Sequence, residues 1–365
     1  MKFLRIFSLC LTVAVSALAQ PSDSLPNKST TLSLLERAAN WQLSHPSKHA
    51  TTDWTQATFY DGAIALGKSA GLTRFIDAML KVGEGNEWKL GPRKYNADDY
   101  AIGQMYAEMY LIKHDAKIIA PMQESFDSIL AHPKDDNLSF DKAKNPDFLD
   151  RWSWCDALFM GPPAWVRLWA ATGKEEYLKF AVEKWWVTSA YLYDKDEHLY
   201  FRDDTYFSRR ESNGKKIFWS RGNGWVMGGL VRVLQDLPKD HPQRARFIEQ
   251  YQDMAEKLLT LQQPDGLWRS SLLDSENYPL KETSGTGFYA YAFAWGVNEG
   301  ILNAAKFKPA VLKAWHGLVS CVNADGKLTH VQPIGADPKT FADDSTEVYG
   351  VGAFLLAGTE ILRMK

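Results

Sequence analysis

The strongest constraint on this chain is an alternation of two kinds of helical pattern. Residues 32–43, 73–82, 116–131, 175–191, 243–261 and 308–322 read as polar helices with one apolar stripe. Between them, residues 54–67, 98–112, 156–172, 222–235, 284–298 and 345–362 are rich in glycine, alanine and aromatics. A helix apolar on all sides has to be buried, and one with a single stripe covers it. The starts of the buried set, at Trp54, Asp98, Asp156, Arg221, Ser284 and Ser345, recur at intervals of about 45 to 65 residues, a spacing of arrays that bury a core only by stacking. Six buried helices inside six amphipathic ones, closed as a ring, make an all-α (α/α)6 barrel. An open helical solenoid is the alternative, and it would carry more uniform repeats and a capping unit.

Three loops follow polar helices and read alike: 194–200, 263–268 and 323–328. Asp265-Gly266 and Asp325-Gly326 are turn chemistry, and a short extended piece follows each loop. No low-complexity linker interrupts residues 32–362, and residues 32–365 read as one domain. Residues 20–31, with Pro21, Ser22, Ser24, Pro26 and Ser29, read as a flexible lead-in. Residues 1–19 read as a signal peptide: Lys2 and Arg5 precede an apolar run from Ile6 to Val15, and Ala17-Leu18-Ala19 fits a small-x-small cleavage site. A membrane anchor fits less well, because the run is shorter than the ~20 residues a span needs. A lipoprotein signal would need Cys10, which lies inside the apolar run. The expectation is therefore a chain exported to the periplasm or the medium, without a membrane span.

Composition narrows the partners. Lys+Arg is 42 against 44 Asp+Glu, with no basic block longer than two residues, which argues against a nucleic-acid surface. The chain holds 14 Trp, 15 Tyr and 18 Phe, a supply of flat apolar faces suited to stacking on sugars. After cleavage two cysteines remain, Cys155 and Cys321; they can pair or serve singly as small hydrophobes, and two are no disulfide framework. The sequence has no His-Glu-x-x-His, no nucleophile elbow, no phosphate loop and no dinucleotide fingerprint, so neither metal nor cofactor is expected. Oligomeric state is not set by these features.

In such a ring all buried helices start at one rim. That mouth would gather Trp54, Asp98 with Asp99, Trp154 with Asp156, Trp219 with Arg221 and Trp225, Glu282, and Asp343 with Asp344. Carboxylates, tryptophans and an arginine converging on a cavity describe a carbohydrate site. Each also has a plainer reading: Asp at a helix start commonly caps it, Arg221 can serve a structural ion pair, the tryptophans can be core, and Arg202-Asp203 can be a surface pair.

The stretches 53–55 (Asp-Trp-Thr), 96–104 (Asn-Ala-Asp-Asp-Tyr-Ala-Ile-Gly-Gln), 154–160 (Trp-Cys-Asp-Ala-Leu-Phe-Met), 218–225 (Phe-Trp-Ser-Arg-Gly-Asn-Gly-Trp) and 282–285 (Glu-Thr-Ser-Gly) occur in that order. As an ordered set, with the closing stretch 347–358, they resemble glycoside hydrolase family 105, the unsaturated rhamnogalacturonyl hydrolases, and more distantly the unsaturated glucuronyl hydrolases of family 88. The resemblance covers nearly the whole mature chain. It implies an (α/α)6 barrel that removes a 4,5-unsaturated uronic acid from the non-reducing end of lyase-generated oligosaccharides by hydrating the C4=C5 bond. It implies Asp156 as proton donor, Asp98 as the second essential carboxylate, and Trp154, Trp219, Arg221 and Trp225 as lining of the uronide pocket. Trp54, Asp99 and Arg202 join that lining. Pectin-active members often carry histidine at the positions of Asp99 and Arg202, and the charge change suits a sulfated rhamnose-containing uronide such as an ulvan fragment.

Protonating carbon needs a carboxyl that is still neutral near pH 7. Burial beside Trp154 and Phe159 and a nearby Asp98 raise the pKa of Asp156, while a helix start and Arg221 lower it; the raising effects are expected to win for one member of the pair. Two other readings stay open: an inverting glycosidase or epimerase on the same barrel, and a carbohydrate-binding protein without catalysis.

Overall fold

A computed structural model of the protein describes residues 24–365. The expected signal peptide, 1–19, and residues 20–23 lie outside the described residues. In chain order the helices are α1 (Lys28–Ser44), α2 (Trp54–Ala70), α3 (Thr73–Gly85), α4 (Ile102–Lys113), α5 (Ala120–Ala131), α6 (Ala157–Met160) and α7 (Pro162–Thr172). They continue with α8 (Glu175–Leu192), α9 (Ser220–Asp236), α10 (Arg244–Thr260), α11 (Thr283–Asn298), α12 (Ala304–Val319) and α13 (Val348–Arg363). Two short strands, β1 (Tyr193–Asp194) and β2 (Leu199–Tyr200), pair antiparallel between α8 and α9.

The buried helices close on themselves. α2 packs on α4, α4 on α7, α7 on α9, α9 on α11, α11 on α13, and α13 returns to α2. That last contact excludes an open solenoid and makes the (α/α)6 barrel. The amphipathic helices line the outside: α1 covers α13, α3 covers α2, α8 covers α7, α10 covers α9 and α12 covers α11. The closing seam is tight because it is built on glycine. A Cβ on Gly352 in α13 would stand 2.4 Å from the Thr58 carbonyl oxygen in α2, so only a residue without one permits the approach.

The loop reading holds: Gly266 and Gly326 take positive φ (87° and 96°), which their Asp-Gly turns require. Several boundaries differ from the pattern, and four of them bear on the ends of the chain or on the mouth. α1 begins at Lys28, so residues 28–31 of the expected lead-in are helical, capped by the Asn27 side chain on the Thr30 N–H. Residues 97–100 form a separate 3-10 turn ahead of α4. Residues 156–172 are two helices, α6 and α7, because consecutive Pro162 and Pro163 lack the N–H groups that would carry α6 onward. α13 starts at Val348, three residues late, which leaves Asp343 and Asp344 exposed on the approach loop instead of at the mouth. Cys155 and Cys321 are both free and buried, so neither pairs. No helix among the described residues is long and apolar enough to cross a membrane.

Candidate active site

Helix starts meet at one end of the ring. Trp54, first residue of α2, stacks on Tyr349 of α13 with ring centroids 5.5 Å apart and meets the edge of Trp225 of α9 at 5.9 Å. Trp225 is fully buried, with Phe159 of α6 at 4.9 Å and Phe288 of α11 at 4.5 Å. It is the floor of the site, and only Trp54 of these two keeps part of its face open.

Asp156 stands at the N-cap position of α6, yet its φ and ψ (−61° and −28°) are helical and its side chain caps nothing. Its carboxyl is freed from the role most helix-start aspartates serve, and it accepts from the Cys155 thiol, Sγ 3.4 Å from Oδ2. Asp98 sits in the 97–100 turn. There Asn96 does the capping, accepting from the Asp98 N–H at 3.0 Å, so this carboxyl is unspent as well. Both groups lie where water reaches a small part of them while protein surrounds the rest. Burial accordingly pushes both towards the neutral form. Asp98 rises to about 7: burial dominates, Arg93 opposes it, Asp156 and Asp99 add to it, and Arg202 opposes. Asp156 is raised by burial against the pull of Arg202 and Arg221 and the thiol hydrogen bond. The sequence argument expected one raised carboxyl; the structure raises both, and it brings Asp98, Asp156, Arg202 and Arg221 within one another's electrostatic reach.

The arginines stand at different depths. Arg221 is 1% exposed, lies over the rings of Trp219 (4.4 Å) and Tyr349 (5.0 Å), and donates to the carbonyls of Gln332 (2.7 Å) and Pro333 (2.9 Å). Among the described residues its Nε–H has no hydrogen-bond partner. Its nearby counter-charges are Asp156 and Glu347, both pushed by burial towards the neutral form, which leaves the buried cation favouring an added anion. Trp219 is buried beneath it, its Nε1–H held by Gln332 at 2.8 Å, so its face serves the arginine. Arg202 pairs with buried Asp203 at 2.7 Å, stacks on Phe140 at 4.6 Å, and likewise has an unpartnered Nε. It is not a surface pair. Its carbonyl accepts the Cys155 N–H at 2.8 Å, which fixes this extended piece against the start of α6. Buried Asn223 bonds both backbone groups of Tyr200 (2.8 and 3.0 Å), standing in for a strand partner. The neighbouring Gly222 lets α9 close on Cys155, so the glycines of this motif admit protein, not ligand.

Trp154 is buried at the entrance to α6. The Asp99 carboxylate turns away to hold Arg93, accepting from its backbone N–H and from Nε at 3.1 Å, and the Arg93 Nη2 comes within 3.9 Å of Asp98. Asp99 thus reaches the site through Arg93, which the sequence reading missed. The only sequence trace of it is a Gly91-Pro92 turn ahead of the acidic pair. Tyr349 was also missed as a site residue, although it lies in the closing stretch; its ring lies between Trp54 and Arg221. Glu282 behaves as the plain reading has it, capping α11 through the N–H groups of Ser284 (2.9 Å) and Gly285 (2.7 Å). Glu347 takes the rim place expected for Asp343 and Asp344; burial raises its pKa against His49, Arg221 and Lys48. No three His, Cys, Asp or Glu side chains converge as metal ligands among the described residues.

Two carboxyls that cap no helix, both pushed towards the neutral form in the field of two arginines, can bind an anion and pass protons beside it. The profile of glycosyl hydrolase family 88 matches residues 28–365. The chain belongs to glycosyl hydrolase family 88. This family 88 enzyme is 38% identical to an unsaturated 3S-rhamnoglycuronyl hydrolase of Formosa agariphila, over 99% of this chain and 98% of that one. It is 35% identical to a protein of the same name from an Alteromonas species, over 94% of this chain and 88% of that one. Among solved structures, a family 88 glycosyl hydrolase from Bacteroides vulgatus superposes with a TM-score of 0.84 at 30% identity, covering 93% of this chain and 99% of that one. The protein is a glycoside hydrolase, and the non-catalytic reading is set aside.

Proposed function

We propose that this family 88 hydrolase removes a 4,5-unsaturated uronate joined to rhamnose from the non-reducing end of oligosaccharides released by polysaccharide lyases, by hydrating the C4=C5 bond. The observation that carries the reading is the Asp98–Asp156 pair: both carboxyls are driven towards neutrality, neither caps a helix, and both lie in the field of arginine. An enol ether accepts a proton at carbon only from an acid that has kept it. The Asp156 carboxyl delivers its proton to C4, and positive charge develops over C5 and the ring oxygen. Water adds at C5 and gives up a proton to the Asp98 carboxylate, so the pair loses one proton and regains one. The hemiketal opens to a ketone at C5, and the hemiacetal left at C1 expels the neighbouring sugar. The positive field of Arg221 and Arg202 around the pair favours the uronate carboxylate. The half-buried face of Trp54 is the stacking surface for the ring.

The names of the two relatives, both unsaturated 3S-rhamnoglycuronyl hydrolases, favour a uronate joined to rhamnose, and the added cation at Arg202 supports a sulfated, ulvan-type fragment over a rhamnogalacturonan one. Export belongs to the same proposal, supported by the charged, apolar and small-residue order of residues 1–19. The test follows the ultraviolet absorbance of the conjugated double bond on ulvan-lyase fragments and on unsaturated rhamnogalacturonan disaccharide. The expected result is loss of absorbance on the ulvan fragments, slowed about 10²–10⁴-fold by Asp156→Asn. Loss on the pectic disaccharide alone would overturn the sulfated preference. Cleavage of saturated oligosaccharides with the unsaturated bond left intact would overturn the reading itself.

A further inference from the structure

We infer that Gln104 is a positioning residue for the acid pair, setting the place of α6 against α4 and α9 from beneath the site. The inference rests on the reading of Asp98 and Asp156 as the reacting groups. Gln104 lies in the first turn of α4, six residues after Asp98, and is fully buried. Its Nε2–H donates to the carbonyl of Phe159 at 2.8 Å, three residues after Asp156. In an uninterrupted helix that carbonyl would accept the N–H of residue 163, and residue 163 is proline. The prolines that break α6 from α7 therefore create an orphan acceptor directly below Asp156, and a side chain from the Asp98 segment fills it.

The other end of the amide is spoken for. Its Oε1 accepts from Nε of Arg232, a residue of α9, the helix whose first turn carries Arg221. Arg232 is held in turn, its Nη2 donating to Glu108 of α4 at 2.8 Å and standing 3.0 Å from the Asp61 carboxylate of α2. Arg167 of α7 braces the same point, donating to Glu108 at 3.1 Å and to the Arg232 carbonyl at 2.9 Å. An arginine offers only donors and a carbonyl only acceptors, so the amide of Gln104 has one orientation and cannot flip. The segments that carry Asp98, Asp156 and Arg221 thus meet at one buried side chain that touches no substrate. A misplacement of about 1 Å in a reacting pair can cost on the order of 10²-fold in rate.

The experiment uses the full chain with two variants. Gln104→Met keeps the volume and removes both bonds; Gln104→Glu keeps the acceptor for Arg232 and removes the donor to Phe159. Steady-state rates and pH–rate profiles are measured on protein with a native circular dichroism spectrum. Both variants are expected to lose kcat by about ten- to a hundredfold, with KM within about twofold and the limb of the pH profile set by the acid pair displaced. If Gln104→Met does not fold, Gln104→Glu decides alone. A wild-type kcat and profile in Gln104→Glu overturns the inference, as does a lowered melting temperature with kcat and profile unmoved, which is the mark of a structural bond only. Wild-type protein that leaves the double bond intact would remove the proposed function and this inference together, whereas active wild type with indifferent variants removes this inference alone.

Discussion

Each carboxyl of the pair is held towards its neutral form in the folded chain, and that resistance to ionising works against the fold. Asp98 goes from an ordinary value of 3.8 to about 7 on folding. Between those values the folded chain holds a proton that the unfolded chain has released. The group therefore supports the fold below about pH 4 and withdraws that support as pH rises through 7. Asp98→Asn cannot ionise, so it is expected to raise stability at pH 8 by on the order of 2 kcal/mol, a few degrees in Tm, and to leave it nearly unchanged at pH 4 while activity falls. Thermal unfolding at the two pH values checks this; an equal gain at both would mean that Asp98 titrates normally. At this scale Asp98, Asp156 and Arg221 were legible because each sits in a distinctive stretch at the start of a buried helix. Arg93 was not, since its place depends on Asp99 folding back across the Gly91 turn. A Cβ on Gly91 would strike that carboxylate at 2.5 Å, a contact no spacing rule reveals.

Among elements, the four-residue α6 is the one on which the site turns, and it is also the one the periodicity misread. The apolar pattern of 156–172 runs unbroken through two prolines, so hydrophobicity alone reports one helix where hydrogen bonding allows two. The gap is closed from α9, whose Gly229 passes so near that a Cβ would sit 2.4 Å from the Leu158 carbonyl oxygen. Leu158 is the other carbonyl that proline leaves without a helical donor. Gly229→Ala is expected to push α6 away from α9, costing about 1–3 kcal/mol and lowering kcat along with stability. Chemical denaturation and the absorbance assay together check it, and a variant with wild-type stability would show that α6 yields freely. The remaining inner helices were read to within a few residues, because glycine-lined backbones pack from sequence alone when no proline intervenes.

For the whole molecule, the decisive contact is the return of α13 to α2. A solenoid that loses its last unit still keeps its other interfaces, whereas a ring that loses one loses two. A chain ending at Asp344 is expected not to fold, with its far-ultraviolet dichroism and protease resistance lost; a stable, helical truncation would argue for a stacked array. The period in the sequence carried the six-fold alternation but not by itself the closure, since the seam depends on Gly62 of α2 and Gly352 of α13 lying opposite one another.

Beneath the acid pair the lumen is stoppered by Gln104, Arg232, Asp61 and the rings of Phe159 and Phe288, all of them buried. The barrel is therefore a cul-de-sac and not a tunnel. A chain arriving at the acid pair meets this plug and leaves by the doorway it came through. That shape fits the proposed removal of a single end unit, a task that leaves the cutting of the polymer to other enzymes.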